Sequence, residues 1–186
     1  EKRMLQDKIV QYCAPTLARL KIGSMFGYSY DSFDTFTDEL ACINDLLNRK
    51  GVRVGVLQDN GTRALIYVYR PKELKHRLSE HRIESLMQKF GYEGADINCS
   101  INRLRSRLGV CGSFPHEIGI FLGYPLEDVI GFIEHCGSNC KACGQWKVYG
   151  DVEKAMGLFA KYRRCELLYM RLFRENGDIE KLTVCA

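Results

Sequence analysis

Two β-rich runs, Val52-Arg-Val-Gly-Val-Leu and Ala64-Leu-Ile-Tyr-Val-Tyr, are separated by Gln58-Asp-Asn-Gly-Thr. An Asn-Gly between such runs signals a hairpin, because both residues tolerate positive φ. A lone hairpin cannot bury its apolar face in water, so this feature requires covering elements. The flanking chain supplies them. Residues 2–13 carry Met4, Leu5, Ile9, Val10 and Cys13 at helical spacing, and Ala14-Pro15-Thr16 is expected to break that helix. Lys21 to Tyr28 reads as a strand. Residues 34–49 place Leu40, Ile43, Leu46 and Leu47 on one helical face before a stop at Gly51. Pro71 ends the second strand of the hairpin, and the helical period returns from Lys72 to Phe90 and from Ile97 to Leu108. Gly144 to Tyr149 is a short strand candidate, and Val152 to Arg174 a long closing helix. The expected fold is α/β of the mixed α+β kind, a mixed or antiparallel sheet of roughly 3–4 strands covered by helices.

At 186 residues the chain fits one domain, 1–186, and it has no repeat or Ser/Pro linker. A chain of this size buries roughly 70% of its unfolded surface and can be stable without staples. A net charge of +4 is too weak to argue nucleic-acid binding. No apolar stretch approaches the roughly 18–20 residues that cross a bilayer. The first residues, Glu1-Lys-Arg-Met-Leu-Gln-Asp-Lys, are charged and lack the apolar core of a signal peptide. Nine cysteines form an odd set, and Cys13, Cys42 and Cys165 fall within apolar-periodic stretches. A reducing cytoplasm is the expected compartment.

The densest run of chemistry-bearing residues lies between Phe114 and Tyr149. It begins Phe114-Pro-His-Glu-Ile-Gly-Ile-Phe-Leu-Gly-Tyr-Pro-Leu-Glu-Asp-Val-Ile-Gly-Phe-Ile. With Trp146-Lys-Val-Tyr-Gly-Asp and the early Cys13-Ala-Pro-Thr-Leu-Ala, this run resembles the DUF3793 family, and the resemblance covers nearly the whole chain. That family is bacterial, found largely in anaerobic Firmicutes, and its function is not established. The resemblance implies a cytosolic bacterial protein of one domain. It carries no catalytic residues over, so the site must be read from the side chains.

Pro115 favours the first turn of a helix, which places His116 and Glu117 near a helix N-terminus. There the macrodipole favours Glu117 and disfavours a histidine proton, leaving an imidazole suited to general-base work. The alternative is that Glu117 caps the helix and His116 makes one buried hydrogen bond. No second histidine stands four residues on, so the zinc-protease pattern is absent. Lys147 and Tyr149 alternate with Val148 and project to one side, where an ammonium and a phenol can hold a carboxylate or phosphate. Arg103 and Arg107 share a helical face that either pairs with Glu residues or joins His116 around an anion, while Arg105 points elsewhere. Trp146 has the opposite parity to Lys147 and reads as core.

Cys136, Cys140 and Cys143 are spaced C-x3-C-x2-C. This is the spacing of radical S-adenosylmethionine enzymes, but those place it after an early strand of a large barrel, whereas here it lies near the C-terminus. A simpler zinc or iron–sulfur site would take His135 or Cys165 as fourth ligand. Otherwise the thiols are unligated residues near a surface turn. Gly119, Gly123 and Val129 suggest a helical hairpin turning at Gly123-Tyr-Pro. Its second helix carries Glu127, Asp128 and Glu134 and no Lys or Arg, which argues against DNA reading.

Three functions follow. The first is a protein binding a small anionic ligand or cofactor of unknown identity, with scope for catalysis, around His116, Glu117, Lys147 and Tyr149. In it His116 transfers the proton, Glu117 orients it and Lys147 anchors the anion. The second is a metal or redox protein on the three cysteines. The third is a module that binds a protein partner through its acidic helical hairpin, with an exposed apolar patch around Ile120, Phe121 and Ile130. Nucleic-acid and membrane partners are not expected.

Overall fold

A computed structural model of the chain describes residues 4–94, 96–110 and 114–186. It has the mixed α/β character expected, with helices and two small antiparallel sheets. The chain forms two compact units, one running to Leu74 and resuming at Cys165–Ala186, the other Lys75–Arg164.

The first unit is built on the predicted hairpin. Strands β1 (Gly23–Ser29), β2 (Arg53–Asp59) and β3 (Arg63–Tyr69) form an antiparallel sheet in the order β1-β3-β2. At the turn only Gly61 takes positive φ, +91°. Asn60 contributes its side chain instead, accepting from the amides of Thr62 and Arg63 at 3.1 and 2.9 Å. The alternation of β3 sends Ala64, Ile66 and Val68 into one core. Helix α1 (Met4–Leu17) fills that core with Leu5, Ile9, Cys13 and Leu17, and α2 (Phe33–Asn48) with Phe36, Ile43 and Leu47. Cys165, Tyr169 and Phe173 of α8 (Val152–Asn176) and Ile179 of α9 (Ile179–Leu182) complete it. Asn44 of α2 also satisfies edge strand β2, donating to the Val54 carbonyl and accepting from its amide at 2.8 and 2.9 Å.

Helix α1 does not break at residues 14–16 as its proline suggests; it runs through Pro15 to Leu17. Proline within a helix costs about 3 kcal/mol, through a lost hydrogen bond and a ring clash. Tertiary bonds at the helix end offset this. The buried Arg70 guanidinium donates from Nε to the Thr16 carbonyl at 2.7 Å, and from Nη2 to the carbonyls of Leu17 and Val184 at 2.8 and 2.7 Å. A cation at a helix C-terminus is also favoured by the dipole.

The expected helix from Lys72 to Phe90 is two, α3 (Pro71–Leu78), whose last four residues open the second unit, and α4 (His81–Gln88). Ser79 folds its hydroxyl back onto the His76 carbonyl at 2.7 Å, and Glu80 is extended, so the helical ladder stops there. Then follow α5 (Ile97–Val110), α6 (Ile118–Phe121), α7 (Leu126–His135) and a small hairpin of β4 (Ala142–Cys143) and β5 (Lys147–Val148). The single strand expected over Gly144–Tyr149 is thus the second half of a hairpin. The first part of α8 closes this unit. Among the described residues no helix is long and apolar enough to cross a membrane.

Candidate functional site

The second unit organises its polar chemistry around a buried carboxylate. Asp128, in the first turn of α7, accepts from the Trp146 indole N–H at 2.7 Å. It also accepts from the backbone amides of Tyr149 and Gly150 at 2.8 and 2.7 Å. Three donors on one buried carboxylate, each bond worth about 1.5–3 kcal/mol, lock the β4–β5 hairpin onto α7. Trp146 is held between the stacked ring of Tyr124, 4.7 Å away, and the edge-on ring of Phe159 at 4.4 Å.

This packing leaves a cleft of about 330 Å³ beside the indole. Its apolar wall comes from Pro115, Ile118, Val129, Phe132 and Trp146, and its polar rim includes His116, Lys147 and Cys143. The His116 ring meets Phe132 edge-on at 5.2 Å. Lys147 Nζ donates to the Gly137 carbonyl at 2.6 Å, which fixes the ammonium at the rim. Asp128 is the cleft's sole lining carboxylate among the described residues, and both its oxygens are already engaged. The cleft therefore combines an oily wall with donors and no uncommitted acid.

The other residues singled out from sequence lie elsewhere. Glu117 is buried and forms a two-point ion pair with Arg107, whose Nε meets Oε1 and whose Nη2 meets Oε2 at 3.2 Å. The Tyr92 hydroxyl donates to the same carboxylate at 3.0 Å. Burial, followed by the Glu117 charge, pushes the Tyr92 phenol well above its usual range. Arg103 donates from Nε and Nη2 to the Phe90 carbonyl at 3.1 and 2.9 Å. Glu117 is thus not placed as the orienter of His116. Residues Pro115 to Ile118 form a turn, α6 starts only at Ile118, and adjacent side chains in that turn diverge. Glu117 is the N-cap residue of α6 and His116 precedes it, so both stand at a helix start as expected, although that helix is only four residues long.

Lys147 and Tyr149 do project to one side, as their parity predicts. What they meet there is the protein's own turn: Tyr149 donates to the Ser138 carbonyl at 2.9 Å, next to the Gly137 carbonyl held by Lys147. Burial, then the nearby Cys140 and Cys136, raises the Tyr149 phenol. His135 stacks on the Tyr149 ring at 5.6 Å.

Cys136 is exposed at the left-handed end of α7, Cys140 is half-buried, and Cys143 is exposed at the cleft. Cys165 is buried in the core of the first unit. Among the described residues no three His, Cys, Asp or Glu side chains are placed to hold a metal ion.

The α6–α7 hairpin turns at Gly123-Tyr-Pro as expected, but its acidic face is smaller than the sequence suggests. Asp128 points inward, and Glu127 pairs with Arg82 at 3.1 Å. The apolar patch expected around Ile120, Phe121 and Ile130 is not exposed, since Ile120 and Phe121 are fully buried and Phe121 packs on Tyr92 at 5.7 Å. Sequence reasoning missed Asp128 as an organising residue. Its signal was a helical face shared with Gly131 and Phe132, three and four residues on.

A family model described as "Protein of unknown function (DUF3793)" matches residues 9–183. No curated protein and no solved structure matches the chain.

Proposed function

For a chain that belongs to the DUF3793 family along nearly its whole length, we propose binding of a small amphipathic anion in the Trp146 cleft. The observation that carries this reading is the composition of one cleft: an apolar wall, the His116 imidazole and the Lys147 ammonium at the rim, and no free carboxylate among the described lining residues. Its volume of about 330 Å³ lies at the lower end of small-molecule sites and suits a short acyl or aryl carboxylate. His116 and Lys147 meet the carboxylate while the chain or ring lies on Phe132 and Trp146. In this reading His116 is the group that would exchange a proton with the bound molecule. The odd cysteine count, with all eight described cysteines unpaired, fits a reducing bacterial cytosol.

The chain has one tryptophan, and it lines the cleft, so its fluorescence reports occupancy directly. Titration with hexanoate or phenylacetate is expected to give a saturable change in Trp146 emission. His116→Ala and Lys147→Met should each weaken binding about tenfold, the equivalent of about 1.4 kcal/mol, with the His116 variant melting near wild type. A linear, non-saturating response, or equal binding by both variants, overturns the proposal.

A further inference from the structure

The Trp146 cleft contains one reactive group that anion binding leaves unused, the Cys143 thiol. It is free and exposed. The register of the β4–β5 hairpin pairs Cys143 directly with Lys147. Residues paired in this way share a face of the ladder, with Cβ atoms about 4.5–5.5 Å apart. The backbone beside the thiol is held in place. Gly144 donates its amide to the Trp146 carbonyl at 3.0 Å and lies too close to the Phe159 ring to carry a side chain. Of the C-x3-C-x2-C run, only Cys143 is among the described residues that line the cleft.

A thiol, an imidazole and an ammonium thus line one small cleft with an apolar wall. Together they supply what attack on an acyl carbonyl needs. A thiol becomes a nucleophile once its proton is removed, and an imidazole accepts such a proton near neutral pH. An ammonium stabilises the negative charge that develops on the carbonyl oxygen. A free carboxylate resists a thiolate, because their charges repel. A thioester does not, since its departing thiolate is as good a leaving group as the attacking one. Phe132 and Trp146 offer the acyl chain its apolar surface.

We propose that Cys143 accepts the acyl group of a short-chain acyl thioester. The proposal rests on the anion-binding reading and names the reaction that delivers the anion. A bond forms between Cys143 Sγ and the carbonyl carbon, the bond from that carbon to the donor's sulfur breaks, and the Cys143 proton passes through His116 to the departing thiolate. Water then attacks the acyl-cysteine. Its oxygen replaces Sγ on the carbonyl carbon, one proton returns to Cys143, a second is released, and the carboxylate is left beside His116 and Lys147.

The reduced full chain is mixed with S-hexanoyl-N-acetylcysteamine and quenched in acid. Hexanoyl-Cys143 peptide and released hexanoate are then summed as total acyl transfer. That total should fall about tenfold or more in Cys143→Ser. Cys136→Ser and Cys185→Ser, which alter exposed thiols outside the cleft lining, should leave it unchanged. Hexanoate titration of Trp146 emission in Cys143→Ser checks that the cleft is intact, and Cys143→Ala replaces that variant if it is misfolded. Equal transfer by wild type and a folded Cys143 variant overturns the proposal. If hexanoate still binds wild type saturably in that case, acyl transfer alone is refuted and the anion-binding reading stands; if it does not, both fall.

Discussion

Lys21, half-buried, and Arg70, buried, show burial acting on two cations of the first unit. Arg70 donates to three backbone carbonyls from Nε and Nη2, while its buried Nη1 has no hydrogen-bond partner among the described residues and burial lowers its pKa. Lys21 lies where burial pushes its ammonium down to about 8, with Cys13 and Glu166 pulling the other way. A lysine whose pKa is lower folded than unfolded carries a penalty below the folded value, and the penalty fades as pH rises from there towards the ordinary lysine range. Lys21→Met is therefore expected to be more stable than wild type at pH 7, by about 2 kcal/mol. The gap should close by about pH 10. Urea denaturation of both proteins at the two pH values measures the difference, in which titrations common to both cancel. A gap that is absent at pH 7, or undiminished at high pH, contradicts this account. At this scale the sequence showed residue types but not pairings. Glu117 was legible as an acid at a helix start, yet its partners Arg107 and Tyr92 lie 10 and 25 residues away.

Among the elements, α7 and the β4–β5 hairpin are the most tightly matched. Gly131 faces Tyr149 so closely that an added Cβ would sit 2.4 Å from the Tyr149 Cβ and Cγ. The tyrosine cannot retreat, because its amide is bonded to Asp128 and its hydroxyl to the Ser138 carbonyl. Alanine is the better helix former by about 1 kcal/mol, so propensity alone predicts that Gly131→Ala stabilises. Overpacking costs about 1–3 kcal/mol and here outweighs propensity. The variant should unfold at lower urea than wild type, and an unchanged or higher midpoint would show that the hairpin yields. The sequence revealed the helical period of α7, the α6–α7 turn and the parity of Lys147 and Tyr149. It did not reveal the two-residue strands, because runs that short carry no periodicity.

For the whole molecule, α8 contributes residues to both compact units, from Val152 in one to Asn176 in the other. A helix gains its stability cooperatively along its length, so losing either half's packing should weaken the other. We expect residues 1–186 to unfold as one cooperative domain. Trp146 emission reports the second unit, and Cys13, fully buried and with its thiol raised by burial, reports the first through its protection from alkylation. The two signals should share one denaturant midpoint; separate midpoints would establish two folding units. By itself the sequence determined the antiparallel hairpin, most of the helices and the mixed fold class, because these follow from local period and turn chemistry. Tertiary structure alone decided that α1 runs through Pro15, that Glu117 is committed to Arg107, and that Trp146, read from sequence as core, lines the cleft where His116 and Lys147 meet. Each of these depends on contacts between residues distant in sequence, and periodicity records which face is apolar but not what comes to lie against it.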